Sequence, residues 1–200
     1  MFFGHRRSVR LKGYDYAATG AYFITICAHE RESLFGEIVD GEMFPGECGR
    51  IVLTEWLKTS DIRQEVLLGE FVVMPNHFHG ILKVNNGATC HKGTADHNKG
   101  TARVDEGTAR RAPTVEQFGK PIAASLSTII RSFKSSVTKC INEIRNSPGL
   151  PVWQRNYYEH VIRDEADYNR IAEYVTTNPQ RWIEDKLHPN NYVADNNANT

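Results

Sequence analysis

The stretch Phe71-Val72-Val73-Met74-Pro75-Asn76-His77-Phe78-His79-Gly80-Ile81-Leu82 decides the fold. Residues 66–74 and 77–84 are both β-rich and apolar, and the proline between them would break one continuous central strand. Two strands hinged at Pro75-Asn76 and paired antiparallel are the natural outcome. Side chains of an extended chain alternate faces, so His77 and His79 point one way and Phe78 points into the opposite layer. With Cα atoms about 6.5–7 Å apart, two such imidazoles can chelate one divalent ion. The plain alternative is a pair of surface histidines on a half-buried strand.

Working outward, residues 21–27 are β-rich and largely apolar and read as a central strand. Residues 34–43 read as a weaker second strand with a turn at Asp40-Gly41. Residues 49–59 fit a helix with Ile51, Leu53, Trp56 and Leu57 buried. The clearest helix follows later: Ile122, Leu126, Ile129, Ile130, Phe133, Val137, Cys140 and Ile144 share one side at helical spacing. Ser127, Arg131, Lys134, Thr138 and Arg145 form an adjoining stripe, and Ser147-Pro148-Gly149 ends the helix. Residues 152–163 are strand-like and aromatic. Asp164 then caps a helix from about Glu165, with Tyr168, Ala172 and Val175 as its buried stripe. Tyr174 and Asn178 lie one turn apart on the flank of that stripe, and Pro179 stops the helix.

The 200 residues suit one domain with appendages. No apolar run approaches the roughly 20 residues of a membrane-spanning helix, and the N-terminus lacks a secretory pattern. Cys27, Cys48, Cys90 and Cys140 are scattered without a Cys-x-x-Cys pair, which predicts reduced thiols in a cytoplasmic protein. Net charge is zero but uneven. Arg6, Arg7, Arg10 and Lys12 make residues 1–20 a basic arm, and a second basic piece spans 120–145. Either could meet a polyanion or merely face solvent. Residues 85–114 carry Lys92-Gly93-Thr94-Ala95, Lys99-Gly100-Thr101-Ala102 and Glu106-Gly107-Thr108-Ala109 at a seven-residue spacing. With Val104 as their one large aliphatic, they read as a flexible insertion in a domain over 21–183, and 184–200 read as a polar tail.

A tyrosine can attack a phosphodiester and keep the bond energy as a phosphotyrosine ester. Its phenol, with an ordinary pKa of about 10, is a weak nucleophile at neutral pH, and a metal polarising the phosphate helps. His77 and His79 could supply two ligands and the Asn178 carbonyl a third, beside Tyr174. Read from spacing alone, the preferred reading is the plainer one: Tyr174 a packing aromatic and Asn178 an Asn-Pro turn signal.

Pro75-Asn76-His77-Phe78-His79, Trp153-Gln154-Arg155, His160 and Tyr174-Val175-Thr176-Thr177-Asn178-Pro179 together resemble the HUH single-tyrosine transposases, above all their REP-associated branch. The basic run Arg6-Arg7-Ser8-Val9-Arg10-Leu11-Lys12-Gly13-Tyr14-Asp15-Tyr16 resembles that branch too. The likeness covers residues 6–183 apart from the insertion, which departs from a compact family member. It implies an α+β, ferredoxin-like or RRM-like sandwich, its central antiparallel sheet carrying the histidines and its helices on one face. It implies His77, His79 and Asn178 as ligands of Mg²⁺ or Mn²⁺, and Tyr174 as the nucleophile on single-stranded or hairpin DNA. The product would be a 5′-phosphotyrosine and a free 3′-OH, made by a monomer or homodimer. Arg6, Arg7, Arg10, Lys12, Arg131 and Lys134 would then hold phosphates. Trp153, with Tyr157 and Tyr158, would offer stacking faces to bases, with core packing the competing role for at least two of them. Two other readings share these residues: a nucleic-acid-binding module without turnover, and a metal-dependent nuclease that uses water.

Overall fold

A computed structural model describes residues 14–16, 18–85 and 124–191. Among the described residues six strands and three α-helices succeed one another: β1 (Gly20–Cys27), β2 (Gly36–Val39), β3 (Glu42–Pro45), α1 (Glu47–Ile62), β4 (Val66–Met74), β5 (His77–Val84), α2 (Leu126–Ile144), β6 (Tyr158–Ile162) and α3 (Glu165–Thr177). The main sheet has the order β4-β5-β1-β6 and is antiparallel throughout. Without the β2–β3 hairpin this is the β-α-β-β-α-β order of ferredoxin-like folds. The turn expected at Asp40-Gly41 is that hairpin's, so residues 34–43 hold parts of two strands where one was expected.

The Pro75-Asn76 hinge pairs β4 with β5, matching Met74 to His77 and Val72 to His79. On its other side β5 pairs with β1, which sets Cys27 opposite His77 and Thr25 opposite His79. Alternation then sorts the residues into two layers. Phe78 faces α1 and α2, its ring 4.8 Å from Trp56 and 5.5 Å from Phe133. Tyr22, Ile24, Ile26, Leu82 and Val84 fill the same layer. Trp56 is fully buried there, and its truncation to alanine would cost about 3–5 kcal/mol.

The two long helices cover one face, as expected. The third lies on the other, where Ile171 and Val175 of α3 pack on Phe23, Ile81 and Ile162. Asp164 caps α3 by accepting from the Asp167 amide at 2.8 Å, and Pro179 opens a 3-10 turn, Pro179–Glu184.

The buried stripe of α1 is Cys48, Val52, Trp56 and Thr59, with Gly49 among them. Of the expected stripe Trp56 is buried as expected, but Ile51 and Leu53 are only half-buried and Leu57 is 51% exposed, so the rest of it is out of phase. The cause is Gly49: a Cβ there would lie 2.1 Å from the Phe35 carbonyl oxygen. This bare face lets the helix press against the chain entering β2. In α2 the apolar face ends on Ile141 and Asn142, while Ile144 is 43% exposed. Asn142 Nδ2 there donates to the Leu150 carbonyl at 2.9 Å and fixes the chain after the helix. Residues 86–123, with most of the expected insertion and Ile122, lie outside the described residues.

Candidate active site

Strand alternation sends His77 and His79 to the α3 side of the sheet, at 0% and 2% exposure. They are therefore interior residues, which corrects the idea of a surface pair. His77 Nδ1 lies 2.8 Å from Asn76 Oδ1, an acceptor, so that nitrogen carries the proton and Nε2 is left as a lone pair. His79 Nδ1 meets the Thr25 hydroxyl at 2.8 Å, and the two Nε2 atoms face each other at 3.0 Å. Burial, reinforced by Arg31, pushes His77 down to about 3. Burial and its neighbour His77 hold His79 well below the usual imidazole range. Both rings are neutral at physiological pH, which is the state that binds metal.

Asp185 completes the group: one ligand atom from each of His77, His79 and Asp185 lies within 4.8 Å of the others. Asn178 Nδ2 donates to Asp185 Oδ2 at 3.1 Å, and the Leu187 amide donates to Oδ1 at 2.6 Å. Asn178 is 2% exposed, and its Oδ1 is buried with no hydrogen-bond partner among the described residues. Facing imidazole lone pairs, a carboxylate and an orphaned amide oxygen form a donor set that fits a divalent cation. Adjacent octahedral ligands at about 2.1 Å from one ion stand about 3 Å apart, the spacing the two nitrogens already have.

Tyr174 projects from α3 onto this cluster. Its hydroxyl is 3.3 Å from His79 Nε2 and 3.5 Å from Asp185 Oδ2, and its ring packs edge-on to His79 and Phe23. Burial, then the Asp185 charge, pushes the phenol up to about 12. Tyr168 turns instead to the sheet and donates to Glu70 at 2.6 Å. Beside Tyr174 opens a cleft of about 1000 Å³, lined by Phe23, His79, Tyr158, His160, Arg170 and Arg181 among others. All the parts of the cluster come from one chain.

The sequence reading missed Asp185, which it assigned to the tail. Asn76 Nδ2 donates to the Leu187 carbonyl at 2.8 Å, and Asn191 Nδ2 donates to the Ile183 and Asp185 carbonyls at 2.8 Å each. Trp182 sets its ring 5.9 Å from that of His77. Residues 184–191 are thus built onto the domain. A lone acid in a polar segment carries no periodic signal; the one available hint was a tryptophan soon after Asn178-Pro179.

The expected DNA contacts are dispersed. Arg6, Arg7, Arg10 and Lys12 lie outside the described residues. Arg131 is exposed on α2, which packs against the sheet face opposite the histidines. Lys134 Nζ donates to the Gln154 and Arg155 carbonyls at 2.7 and 3.1 Å, and burial pulls it down to about 8. Neither lines the cleft. Trp153 is corrected: at 6% exposure it packs on Phe35 and Phe133, whereas Tyr157 and Tyr158 line the cleft, Tyr158 at 48% exposure.

No protein-family profile matches the chain. It is 39% identical over 184 residues to an uncharacterized protein of Haemophilus influenzae, covering 92% of this chain and 93% of that one. Its structure is similar to that of a REP-associated tyrosine transposase bound to a REP hairpin, with a TM-score of 0.51 and 19% identity over 90% of this chain and 74% of the other. At that identity the likeness bears on the fold. Among the described residues no helix is long and apolar enough to cross a membrane.

Proposed function

The chain belongs to the family of that Haemophilus influenzae protein, and we propose that it is a transposase that cuts and rejoins single-stranded or hairpin DNA through Tyr174. The observation that carries this reading is the phenol oxygen 3.3 Å from one of two histidines whose facing nitrogens suit a divalent ion. The transposase neighbour and the family motifs in the sequence point the same way.

His77, His79 and Asp185 would hold Mg²⁺ or Mn²⁺, with Asn178 Oδ1 free to turn toward it. When bound, the ion polarises a non-bridging phosphate oxygen and offsets charge at the phosphorus. Tyr174 Oη attacks the phosphorus, the bond to the 3′-oxygen breaks, that oxygen takes a proton from water and leaves as a 3′-OH, and the cut strand stays on the enzyme by its 5′-phosphate. Two acceptors stand within reach of the phenol proton, His79 Nε2 and Asp185 Oδ2. Both belong to the ligand set, but a ligating imidazole nitrogen has no lone pair left whereas a carboxylate keeps others, so Asp185 takes the proton. A 3′-OH attacking the phosphotyrosine reverses the step, so no nucleotide cofactor is needed.

The test uses 3′-labelled oligonucleotides copied from palindromic repeats flanking the gene, incubated with Mg²⁺ or Mn²⁺ and run on a denaturing gel. A band that migrates with the protein is the expected result. Cleavage without that band would mean hydrolysis by water, and binding without cleavage a recognition module.

A further inference from the structure

His160 belongs to the motifs of the sequence, yet the chemistry above does not use it. It stands on β6 opposite Phe23, two residues from Tyr158, which stands opposite Thr25. Both therefore face the same side of the sheet as His79. His160 Nε2 lies 2.9 Å from Asp167 Oδ2, and Arg170 pairs with Asp167 Oδ1 at 2.5 Å. One carboxylate so orients an imidazole from the sheet and a guanidinium from the helix, and both of these line the cleft beside Tyr174.

We infer that His160 and Arg170, held by Asp167, form a phosphate subsite for the DNA strand next to the bond that Tyr174 attacks; this rests on the transposase reading. Arg170, Tyr174 and Asn178 recur at helical spacing along α3, so Arg170 stands about 6 Å along the axis from Tyr174. That is the scale of one nucleotide step of an extended strand. An ion pair as exposed as Arg170, at 69% of its side chain, contributes little to folding. Its use is orientation: Asp167 takes one edge of each partner and leaves to the cleft the remaining guanidinium donors, joined by His160 Nδ1–H in the doubly protonated ring. Arginine suits this task because its planar fork matches phosphate oxygens. Asp167 itself does not line the cleft and is a positioning residue.

The experiment measures anisotropy of a short fluorescein-labelled single strand of mixed sequence against the full chain carrying Tyr174→Phe, which removes cleavage. Arg170→Gln and His160→Gln should each weaken binding about threefold or more. Arg170→Gln should also lower the slope of log affinity against log salt by about 0.7, one phosphate contact on a single strand. Asp167→Asn distinguishes orientation from bulk charge. It removes a negative charge, so a diffuse basic surface would bind DNA more tightly, whereas a site built by Asp167 binds less tightly. Unchanged or tighter binding by Asp167→Asn, with an unaltered melting temperature, overturns the subsite while leaving the nucleophile untouched. A parent protein that binds no single strand, beside a wild type that forms no adduct, overturns the subsite and the transposase reading together.

Discussion

At the scale of single residues, two neutral imidazoles buried nitrogen to nitrogen set the properties of the site. In the unfolded chain each takes a proton near its ordinary 6.5, whereas folded His77 does so only near about 3 and His79 also well below its ordinary value. Between those values the unfolded state binds more protons. The metal-free protein should therefore lose stability as pH falls below about 6.5, by up to about 1.4 kcal/mol per pH unit for each histidine. Urea midpoints in EDTA from pH 7 downward check this, and a flat profile would contradict it. Mn²⁺ should raise the melting temperature of the wild type at pH 7, and His79→Ala should abolish both that shift and cleavage. Because His79 is interior, the alanine also leaves the Thr25 hydroxyl without its partner and costs about 1–3 kcal/mol. The His-Phe-His pair was legible because strand periodicity has only two faces to offer. Asp185 was not, because its place follows from the fold of a short turn and no spacing rule reaches it.

Elements supply the geometry that residues alone lack. The β4–β5 turn holds the site through Asn76, which accepts from His77 Nδ1 and donates to the Leu187 carbonyl, each at 2.8 Å. One buried amide thus ties the histidine strand to the segment bearing Asp185. Asn76→Ala should cost about 2–3 kcal/mol and weaken metal binding, since it orphans both partners; Asn76→Asp should lose the tie to Leu187 alone. Denaturant unfolding and a Mn²⁺ titration of both variants read the two effects apart. Most elements were legible from apolar periodicity, and the Asp164 cap and the Pro179 stop fell where the sequence put them. The phase of α1 was not legible, because Gly49 contributes nothing to a hydrophobic pattern and still decides which side of the helix approaches Phe35. Trp153 misled for a related reason: an aromatic beside Gln154-Arg155 looks like a base-stacking surface until its neighbours Phe35 and Phe133 are known.

For the whole molecule, the sheet divides labour between its faces. α1 and α2 bury the larger core on one side, and α3 covers only part of the other, so a cleft remains where Tyr174 meets the histidines. The single-face arrangement expected from the resemblance holds for the two long helices; α3 lies on the opposite face, where Tyr174 reaches His79 and Asp185. The composition of residues 85–114 predicts that deleting 88–112 leaves stability within about 1 kcal/mol, since loop closure changes slowly with length. The domain side of that junction is anchored, with the Asn85 amide bonded to Glu65 and the Leu126 amide to Tyr16. A larger loss in thermal unfolding would show that the segment folds onto the domain. The proposed reaction turns on one bond, from Tyr174 to a 5′-phosphate. Mass spectrometry of the digested protein–DNA adduct should place the nucleotide on the peptide containing Tyr174, with no adduct from Tyr174→Phe and an undiminished one from Tyr168→Phe. A nucleotide found on Tyr157, Tyr158 or Tyr168, or an adduct that persists in Tyr174→Phe, would contradict it.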